Sequence, residues 1–200
     1  MVSRPWEVAR GDAMTSRFEF ISAGMPGLAI VRRRQIGDER GFIARMWCGD
    51  EFEAAGYGFT IAQINHTLTR RRGTVRGLHF QRQPAAETKL VSCLRGEVFD
   101  VAVDLRRDSP TFLAWHGEVL SADNQRSLLL PMGVAHGFQT LSDDCELLYL
   151  HSAAYAPDAE DGVNPRDPLV GIAWPSPIAE MSARDEGFPL LSPDFRGLAP

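Results

Sequence analysis

Apolar and polar residues alternate along most of this chain, in short runs that turn residues separate. The clearest alternation lies in the run GEVFDVAVDLR, residues 96–106. Its side chains divide into two faces: Phe99, Val101, Val103 and Leu105 on one, and Asp100, Ala102, Asp104 and Arg106 on the other. A period of two residues is typical of a β-strand. We expect the first face to lie in the core and the second to be wetter.

Nine strand-like runs recur between turn signals, which favours an all-β sandwich or barrel. They are GLAIVRR, FTIAQINHTL, TVRGLHFQ, KLVSCL, GEVFDVAVDLR, HGEVLSA, RSLLLP, AHGFQTL and CELLYLHS. Helices are predicted only over GDEFEAAG and IAEMSARDEG, and both are short. The proline-rich tail APDAEDGVNPRDPLVGIAWPSP is expected to wrap around the sheets without pairing. Residues 1–16 have no periodicity and predict a loose leader, followed by one domain over residues 17–200.

Composition excludes several classes of function. The 200 residues are 44% hydrophobic and carry a formal net charge of -5, which predicts a globular core and argues against nucleic acid as a partner. Three widely spaced cysteines match neither a disulfide framework nor a zinc site, and they indicate reduced thiols. The sequence has no secretory signal and no apolar run near the ~20 residues of a membrane span. We therefore expect a cytoplasmic protein with no membrane partner.

Histidine, arginine and lysine residues on neighbouring strands indicate a pocket for an anion. His79 has Arg76 three residues before it and Lys89 ten residues after it, and His136 lies between small residues in PMGVAHGF. For proton transfer, His79 is a candidate base, Lys89 a cation for developing negative charge, and Tyr149 a weak acid. From spacing alone, Tyr149 is better explained as a half-buried strand residue.

Other chemistries have weaker support in the sequence. Two histidine-bearing strands suggest a metal-binding cupin, but a cupin site needs a second histidine two residues after the first, where this chain has Gln81. Hydrolysis by a serine or cysteine nucleophile lacks the usual Gly-x-Ser-x-Gly turn, and Cys93 and Cys145 have core positions. We predict no metal and no cofactor.

The order of several motifs resembles the dTDP-4-dehydrorhamnose 3,5-epimerases, the cupin-fold epimerases of deoxysugar biosynthesis. The motifs are GDERGF, QINHT, RGLHFQ, KLVSCLRGEVFDVAVDLRRDSPTF, LSADNQRSLLLPMGVAHGFQTLSDDCELLY and GIAWP, and they cover about residues 18–190. The resemblance implies a metal-free double-stranded β-helix, or jelly roll, that forms a homodimer by exchanging N-terminal strands. It also implies that the protein epimerises C3 and C5 of a nucleotide-linked 4-keto-6-deoxyhexose, such as dTDP-4-dehydro-6-deoxyglucose.

The resemblance also assigns roles to individual residues. His79 would be the base, Asp185 its partner, Tyr149 the opposing acid, and Lys89 the group that holds the 4-oxygen as an enolate forms. The expected substrate-binding residues are Arg40, Gln63, Asn65, Arg76, His136, Tyr155, Glu160 and Arg184. Within this set, Tyr155 matches the aromatic residue on which the nucleobase stacks.

Three departures from the family pattern leave the substrate open. Arg45 replaces a usual glutamate, Ile64 interrupts the QDNHS motif, and GVNPRDP replaces a GIRWNDP-like segment. The alternatives are an epimerase of C3 alone, a ketoisomerase on the same scaffold, a sugar-nucleotide binding protein without catalysis, and a metal-dependent cupin oxygenase.

Overall fold

A computed structural model of the chain describes residues 16–199, so the expected leader lies outside the described residues except for Ser16. Within this range, thirteen strands and two short helices alternate with turns and loops. The strands are β1 (Phe18–Ser22), β2 (Ala29–Arg33), β3 (Gln35–Asp38), β4 (Gly41–Ala44), β5 (Gln63–Thr69), β6 (Val75–Gln81), β7 (Lys89–Arg95), β8 (Glu97–Asp104), β9 (Trp115–Ser121), β10 (Arg126–Leu130), β11 (Val134–Thr140), β12 (Cys145–His151) and β13 (Glu160–Gly162). The helices are α1 (Gly49–Ala54) and α2 (Ala183–Gly187).

Antiparallel pairing assembles these strands into two large sheets and one hairpin. The order in the six-stranded sheet is β1-β2-β10-β7-β12-β5, and in the five-stranded sheet it is β13-β6-β11-β8-β9. Among the strands of residues 16–199, β3 and β4 pair only with each other. Each of the nine predicted runs overlaps one of these strands, and the predicted all-β jelly roll is confirmed.

Three layers of apolar side chains pack against the two large sheets. The layer inside the barrel joins both sheets through residues such as Val91, Ala102 and Leu147. A second layer packs the C-terminal segment, including Val163 and Val170, on the outside of the five-stranded sheet. The third layer places α1 and its neighbours on the outside of the six-stranded sheet. Neither helix of the described range has the length and apolar character that a bilayer span requires.

The prediction that one face of β8 is wetter than the other is wrong, because this strand has a packed layer on each side. Asp100, Ala102 and Asp104 are all fully buried. Their face points into the barrel, while Val101 and Val103 pack under the C-terminal segment. Two carboxylates are thus enclosed in the fold, and each needs hydrogen-bond donors.

The predicted tail wraps around the barrel, but the expectation that it does not pair is wrong for β13. Residues 158–164 contain no proline, so their backbone N–H groups are free to enter a ladder. Gly162 of β13 lies opposite His79 of β6, and Val163 exchanges backbone hydrogen bonds with Leu78. This pairing brings Glu160 to the edge of the sheet that carries His79. Strands β1, β3 and β4 also form outside the nine predicted runs.

A carboxylate at the end of β8 organises the connection to β9. Asp104 accepts hydrogen bonds from the side chains of Arg106, Ser109 and Thr111. Burial acts to raise the pKa of Asp104, but these hydrogen bonds outweigh it and lower the pKa to about 2. The folded state therefore favours the ionised carboxylate.

We predict that Asp104→Asn lowers the free energy of unfolding at pH 7 by about 2 kcal/mol. The carboxylate's pKa is lower in the folded chain than in the unfolded one, so its contribution is complete above about pH 4 and is lost as the pH falls toward 2. Urea unfolding of both proteins between pH 7 and pH 3 measures this difference. Asp194→Asn is the control, because that side chain is 91% exposed. Equal stability of Asp104→Asn and the wild-type protein at pH 7 would contradict the assignment.

Candidate active site

A cavity of about 260 Å³ lies between the two large sheets. Its walls come from β5, β7 and β12 on one side and from β6 and β11 on the other. Nine of the predicted site residues line it: Gln63, Asn65, Arg76, His79, Lys89, His136, Tyr149, Tyr155 and Glu160. The histidine, arginine and lysine side chains of the predicted anion pocket therefore line one cavity.

His79 projects from β6 and contacts a buried carboxylate on α2. Its Nε2 lies 2.8 Å from Oδ1 of Asp185, whose other oxygen accepts the backbone N–H of Gly77 at 3.1 Å. The hydroxyl of Ser182 caps α2 by accepting the backbone N–H of Asp185. Burial acts to raise the pKa of Asp185, but the hydrogen bonds from the His79 ring and from the backbone N–H of Gly77 help to outweigh it, and the pKa is lowered. Asp185 is thus ionised at neutral pH.

The proton on the His79 ring can be assigned from its neighbours. Nε2 also lies 2.8 Å from Nη2 of Arg184, but a guanidinium only donates and a carboxylate only accepts. One nitrogen cannot satisfy both, and Arg184 already donates to Glu160 at 2.8 Å. We therefore place the proton on Nε2, donated to Asp185. This tautomer leaves the lone pair of His79 on Nδ1.

Two glycines let β6 and β11 approach closely beside His79. A Cβ at Gly77 would lie 2.5 Å from the Cα of Gly137, and a Cβ at Gly137 would lie 2.7 Å from the backbone oxygen of Arg76. Gly77 also has a φ of +131°, which side chains disfavour. The RGLH and AHGF motifs therefore bring His79 and His136 together as paired residues.

Tyr149 and Lys89 occupy the wall opposite His79. Tyr149 projects from β12 between Leu147 and His151 on the same face, as the alternation in CELLYLHS predicts. Burial, with a smaller effect from the charge of Asp100, raises the pKa of the Tyr149 phenol, which keeps its proton. The Lys89 side chain is only 10% exposed, and its Nζ lies 3.0 Å from Oε1 of Glu87.

His136 forms a second histidine and carboxylate pair inside the barrel. Its Nε2 lies 2.8 Å from Oδ1 of Asp100, and both side chains are buried. The other oxygen of Asp100 is buried without a hydrogen-bond partner among residues 16–199. Burial raises the pKa of Asp100, and the contact with His136 opposes this effect.

Polar side chains continue from the cavity to its exposed rim. The phenol of Tyr155 donates to Glu160 at 2.8 Å, and its backbone N–H donates to Gln63 at 2.9 Å. Asn65 accepts from the Gln63 amide at 3.0 Å. Tyr155 is 53% exposed, which leaves its ring available to another aromatic group.

Three predicted site residues do not line this cavity. Asp185 and Arg184 lie behind His79, on a neighbouring depression that also contains Arg76. Arg40 is at the turn of the β3–β4 hairpin, where its side chain is 89% exposed and pairs with Asp38. The structure therefore does not bring Arg40 to the cavity of its own chain.

Three further cavity groups were missed by the sequence analysis: Glu87, His151 and Asp100. Glu87 and His151 line the cavity directly, and Asp100 lies behind His136. The strand alternation carried a signal for His151, which lies two residues after Tyr149. Similarly, Glu87 lies two residues before Lys89, but it precedes the strand and its direction was not predictable.

Gln81, which occupies the position where a cupin metal site needs histidine, has a structural role. Its amide donates to the backbone oxygens of Ala85 and Ala154, and its oxygen accepts from the backbone N–H of Ala156. No group of three histidine, cysteine, aspartate or glutamate side chains in the described part of the chain is arranged to hold a metal ion. Cys93 and Cys145 are buried, as predicted, and burial raises the pKa of the Cys93 thiol to about 12.

Comparison with known proteins agrees with this geometry. The family model described as dTDP-4-dehydrorhamnose 3,5-epimerase matches residues 22–193. The chain belongs to this family of epimerases. The dTDP-4-dehydrorhamnose 3,5-epimerase of Salmonella typhimurium is 45% identical over 173 residues, which cover 86% of this chain and 94% of that protein. The resemblance in the sequence motifs is confirmed, and the protein is classed with the isomerases.

Solved structures of epimerases have the same fold. That of dTDP-6-deoxy-D-glucose-3,5-epimerase from Legionella pneumophila, in complex with dTDP-4-keto-L-rhamnose, matches with a TM-score of 0.83 and 37% identity over 86% of this chain and 92% of that chain. A 3'-monoepimerase from Streptomyces bikiniensis, in complex with dTDP-quinovose, matches with a TM-score of 0.78 and 37% identity over 84% and 85%. The fold thus occurs with both single and double epimerisation.

We predict that Gln81→Met lowers the free energy of unfolding by about 3 kcal/mol, because three backbone groups in the loops around the cavity lose their partner. Methionine preserves the volume of the side chain, so the loss reports hydrogen bonding more than packing. Urea unfolding measures the change, with Gln83→Met, at an exposed neighbouring position, as the control. A change in Gln81→Met no larger than that of the control would contradict this role.

Proposed function

We propose that the protein inverts C3 and C5 of a dTDP-linked 4-keto-6-deoxyhexose, with His79 as base and Tyr149 as acid. One observation carries this proposal: the two groups line a single cavity from opposite sheets. Inversion at carbon requires removal of a proton from one face of the sugar and return of a proton to the other. An imidazole and a phenol on opposing walls provide those two positions.

The ketone at C4 makes the hydrogens on C3 and C5 acidic. In the proposed first step, Nδ1 of His79 takes one of these protons and the electron pair moves into an enolate. Asp185 stabilises the resulting imidazolium through Nε2. The ammonium of Lys89 holds the oxygen as its negative charge develops, so the contact is stronger in the transition state than in the ketone.

Tyr149 completes inversion by protonating the carbon from the opposite face. Its burial raises the pKa, so the phenol is protonated before the step, and solvent restores the proton afterwards. These transfers use side chains alone and need no metal or organic cofactor. The same pair of proton transfers at the second carbon gives the doubly inverted sugar.

The remaining residues suit the nucleotide diphosphate. Arg76 in the cavity supplies positive charge for phosphate, and Gln63 and Asn65 supply amides. Tyr155 offers an exposed ring at the rim for the base. The dTDP-sugars in the structures of the relatives support the choice of thymidine.

We predict deuterium incorporation at C3 and C5 when the wild-type protein acts on dTDP-4-dehydro-6-deoxyglucose in heavy water. His79→Asn should slow exchange at both carbons by at least about a hundredfold, because the base is lost. Tyr149→Phe should retain exchange but lose inverted product, because the proton returns to the face it left. Nuclear magnetic resonance of the sugar measures both quantities.

His66→Asn is the matched control, since His66 is exposed on β5, pairs with Glu146 and does not line the cavity. Labelling at C3 alone, or migration of the carbonyl, would select a C3 epimerase or a ketoisomerase. Binding of dTDP-, CDP-, GDP- and UDP-linked 4-keto sugars without labelling at either carbon would overturn catalysis and leave a binding protein. Iron in one-to-one ratio with the purified chain would support an oxygenase.

We also propose a homodimer in which the β3–β4 hairpin of each chain reaches the other. Within the described part of the chain the hairpin pairs with neither large sheet, and its Phe42 and Ile43 are 63% and 72% exposed. Such apolar side chains are suited to burial against a partner. The exposed Arg40 at the hairpin turn would then enter the cavity of the partner chain and contact the diphosphate there.

Complementation tests this arrangement. Arg40→Ala and His79→Asn are each expected to reduce activity strongly, but random pairing of the two variants should restore about a quarter of wild-type activity, because half of the dimers are mixed and each has one complete cavity. The mixture is prepared by co-expression and its mass is measured by light scattering. No recovery in a confirmed mixed dimer, or a monomeric wild-type protein, would contradict the exchange.

A further inference from the structure

A buried carboxylate joins two cavity side chains that have separate positions in the proposed reaction. Oε1 of Glu87 lies 3.0 Å from Nζ of Lys89, and its Oε2 lies 2.8 Å from Nδ1 of His151. The three side chains are only 6%, 10% and 12% exposed, respectively. Each oxygen of the carboxylate therefore has one donor, inside the wall of the cavity.

The backbone fixes this group of side chains. Lys89 of β7 lies opposite His151 of β12 in the sheet. Just outside the ladder, the backbone N–H of Thr88 donates to the hydroxyl of Ser152 at 2.8 Å, and the backbone N–H of Ser152 donates to the backbone oxygen of Thr88 at 3.0 Å. These bonds tie the segments that carry Glu87 and His151 to each other and fix the backbone from which both side chains project.

Of the two carboxylates that line the described cavity, Glu87 is the one available to Lys89. Glu160, the other carboxylate that lines the cavity, already accepts from Tyr155 and Arg184 at the rim. Burial acts to raise the pKa of Glu87, but the hydrogen bond from His151 and the charge of Lys89 outweigh it and lower the pKa. Glu87 is therefore ionised at neutral pH.

The other polar and titratable groups around the cavity come from both of its walls. From its own sheet, Tyr149 and Asn65 flank His151. From the opposite wall come the positive charge of Arg76 and the two histidine and carboxylate pairs of His79 and His136. No second carboxylate in the described chain contacts Lys89 within 4 Å, so removal of the Glu87 charge leaves the ammonium without an anionic partner.

We propose that Glu87 is a positioning residue, which keeps Lys89 charged and directed at the sugar oxygen and fixes the His151 proton on Nδ1. Its catalytic consequence rests on the function proposed above. Lys89 has three N–H donors, of which Glu87 takes one, and the others are free to face the substrate. Without an anionic partner, a buried ammonium loses its proton more readily.

The contact with Glu87 also determines which form of the His151 ring nitrogen faces the Asn65 amide. With the proton on Nδ1, Nε2 keeps its lone pair and accepts from the Asn65 amide, whose nitrogen lies at 3.4 Å. The His151 ring also stacks beside Tyr149, with ring centroids 6.0 Å apart and planes at 18°. Glu87 thereby fixes the imidazole that packs against the proposed acid.

Glu87→Gln tests the proposal, because it removes the charge and keeps the shape. We expect kcat to fall by about tenfold to a hundredfold with KM changed less than about threefold, since the misplaced ammonium mainly affects the transition state. The alkaline limb of the kcat profile should move to lower pH, as Lys89 loses its proton earlier. Glu87→Asp, which keeps the charge, should return the alkaline limb toward that of the wild-type protein.

Asp104→Asn is the control for removal of a buried carboxylate outside the cavity. It should lower stability without moving the alkaline limb. A Glu87→Gln variant that folds, as shown by circular dichroism, and keeps wild-type kcat and the wild-type alkaline limb would overturn the proposal. A fall in activity without any shift of the limb would also overturn it, because a purely structural role predicts that result.

Two measurements without catalysis separate this inference from the proposed function. Nitrogen-15 spectra of the ring of His151, assigned with His151→Gln, should show the proton on Nδ1 in the wild-type protein and a mixture of tautomers in Glu87→Gln. The rate of Lys89 modification by an amine reagent should rise at lower pH in the variant. If no sugar exchanges deuterium but both effects appear, the proposed function fails and the positioning stands. If exchange occurs and neither effect appears, the positioning fails.

Discussion

Every histidine that lines the cavity of the described chain is bound to a buried carboxylate, and the distance is 2.8 Å in each case. The pairs are His79 with Asp185, His136 with Asp100, and His151 with Glu87. Removing a carboxylate from water costs several kcal/mol unless donors replace the lost hydration. An imidazole N–H is such a donor, and in return the carboxylate fixes the ring and its tautomer. The polar interior of this barrel depends on these histidine–carboxylate pairs.

This constraint also explains why the cavity lies where it does. The barrel interior is apolar at Val91, Ala102 and Leu147, and its polar groups are gathered at one end between β6 and β12. The carboxylates arrive from three different places: α2, β8 and the loop before β7. Because the elements are held by separate ladders and layers, both walls keep the proposed base and acid in fixed positions. A rigid placement of this kind lowers the barrier by orientation instead of by new contacts.

The sequence was sufficient for the strands and for the histidines of two of the three pairs, His79 and His136, but not for the pairing itself. Alternation in single runs placed His79, Lys89 and Tyr149 on strands, and the motifs identified the family. The partners lie 106, 36 and 64 positions from their histidines, so sheet order and register decide those contacts. Only the family resemblance linked Asp185 to His79. Glu87, Asp100 and His151 matched no motif position of the family and were missed.

Errors in the fold prediction have a common physical cause. A period of two residues describes the two faces of a strand, but it does not say what covers each face. Asp100 was expected in a wetter environment, yet β8 is packed on both sides. Similarly, the proline count of the tail predicted wrapping, while the proline-free residues 158–164 were able to add β13 to a sheet edge.

The three departures from the family pattern lie away from the proposed base and acid. Arg45 pairs with Glu51 of α1, and Ile64 is 58% exposed, on the opposite side of β5 from Gln63 and Asn65. In GVNPRDP, the amide of Asn164 donates to the backbone oxygens of residues 186 and 188, which supports the end of α2. Each change therefore affects a support or an outer face and leaves the cavity walls in place. In the proposed function, substrate choice and proton transfer are then separable, because Tyr155, the proposed contact for the base, lies at the exposed rim, while the proposed acid and base, Tyr149 and His79, line the cavity between the sheets.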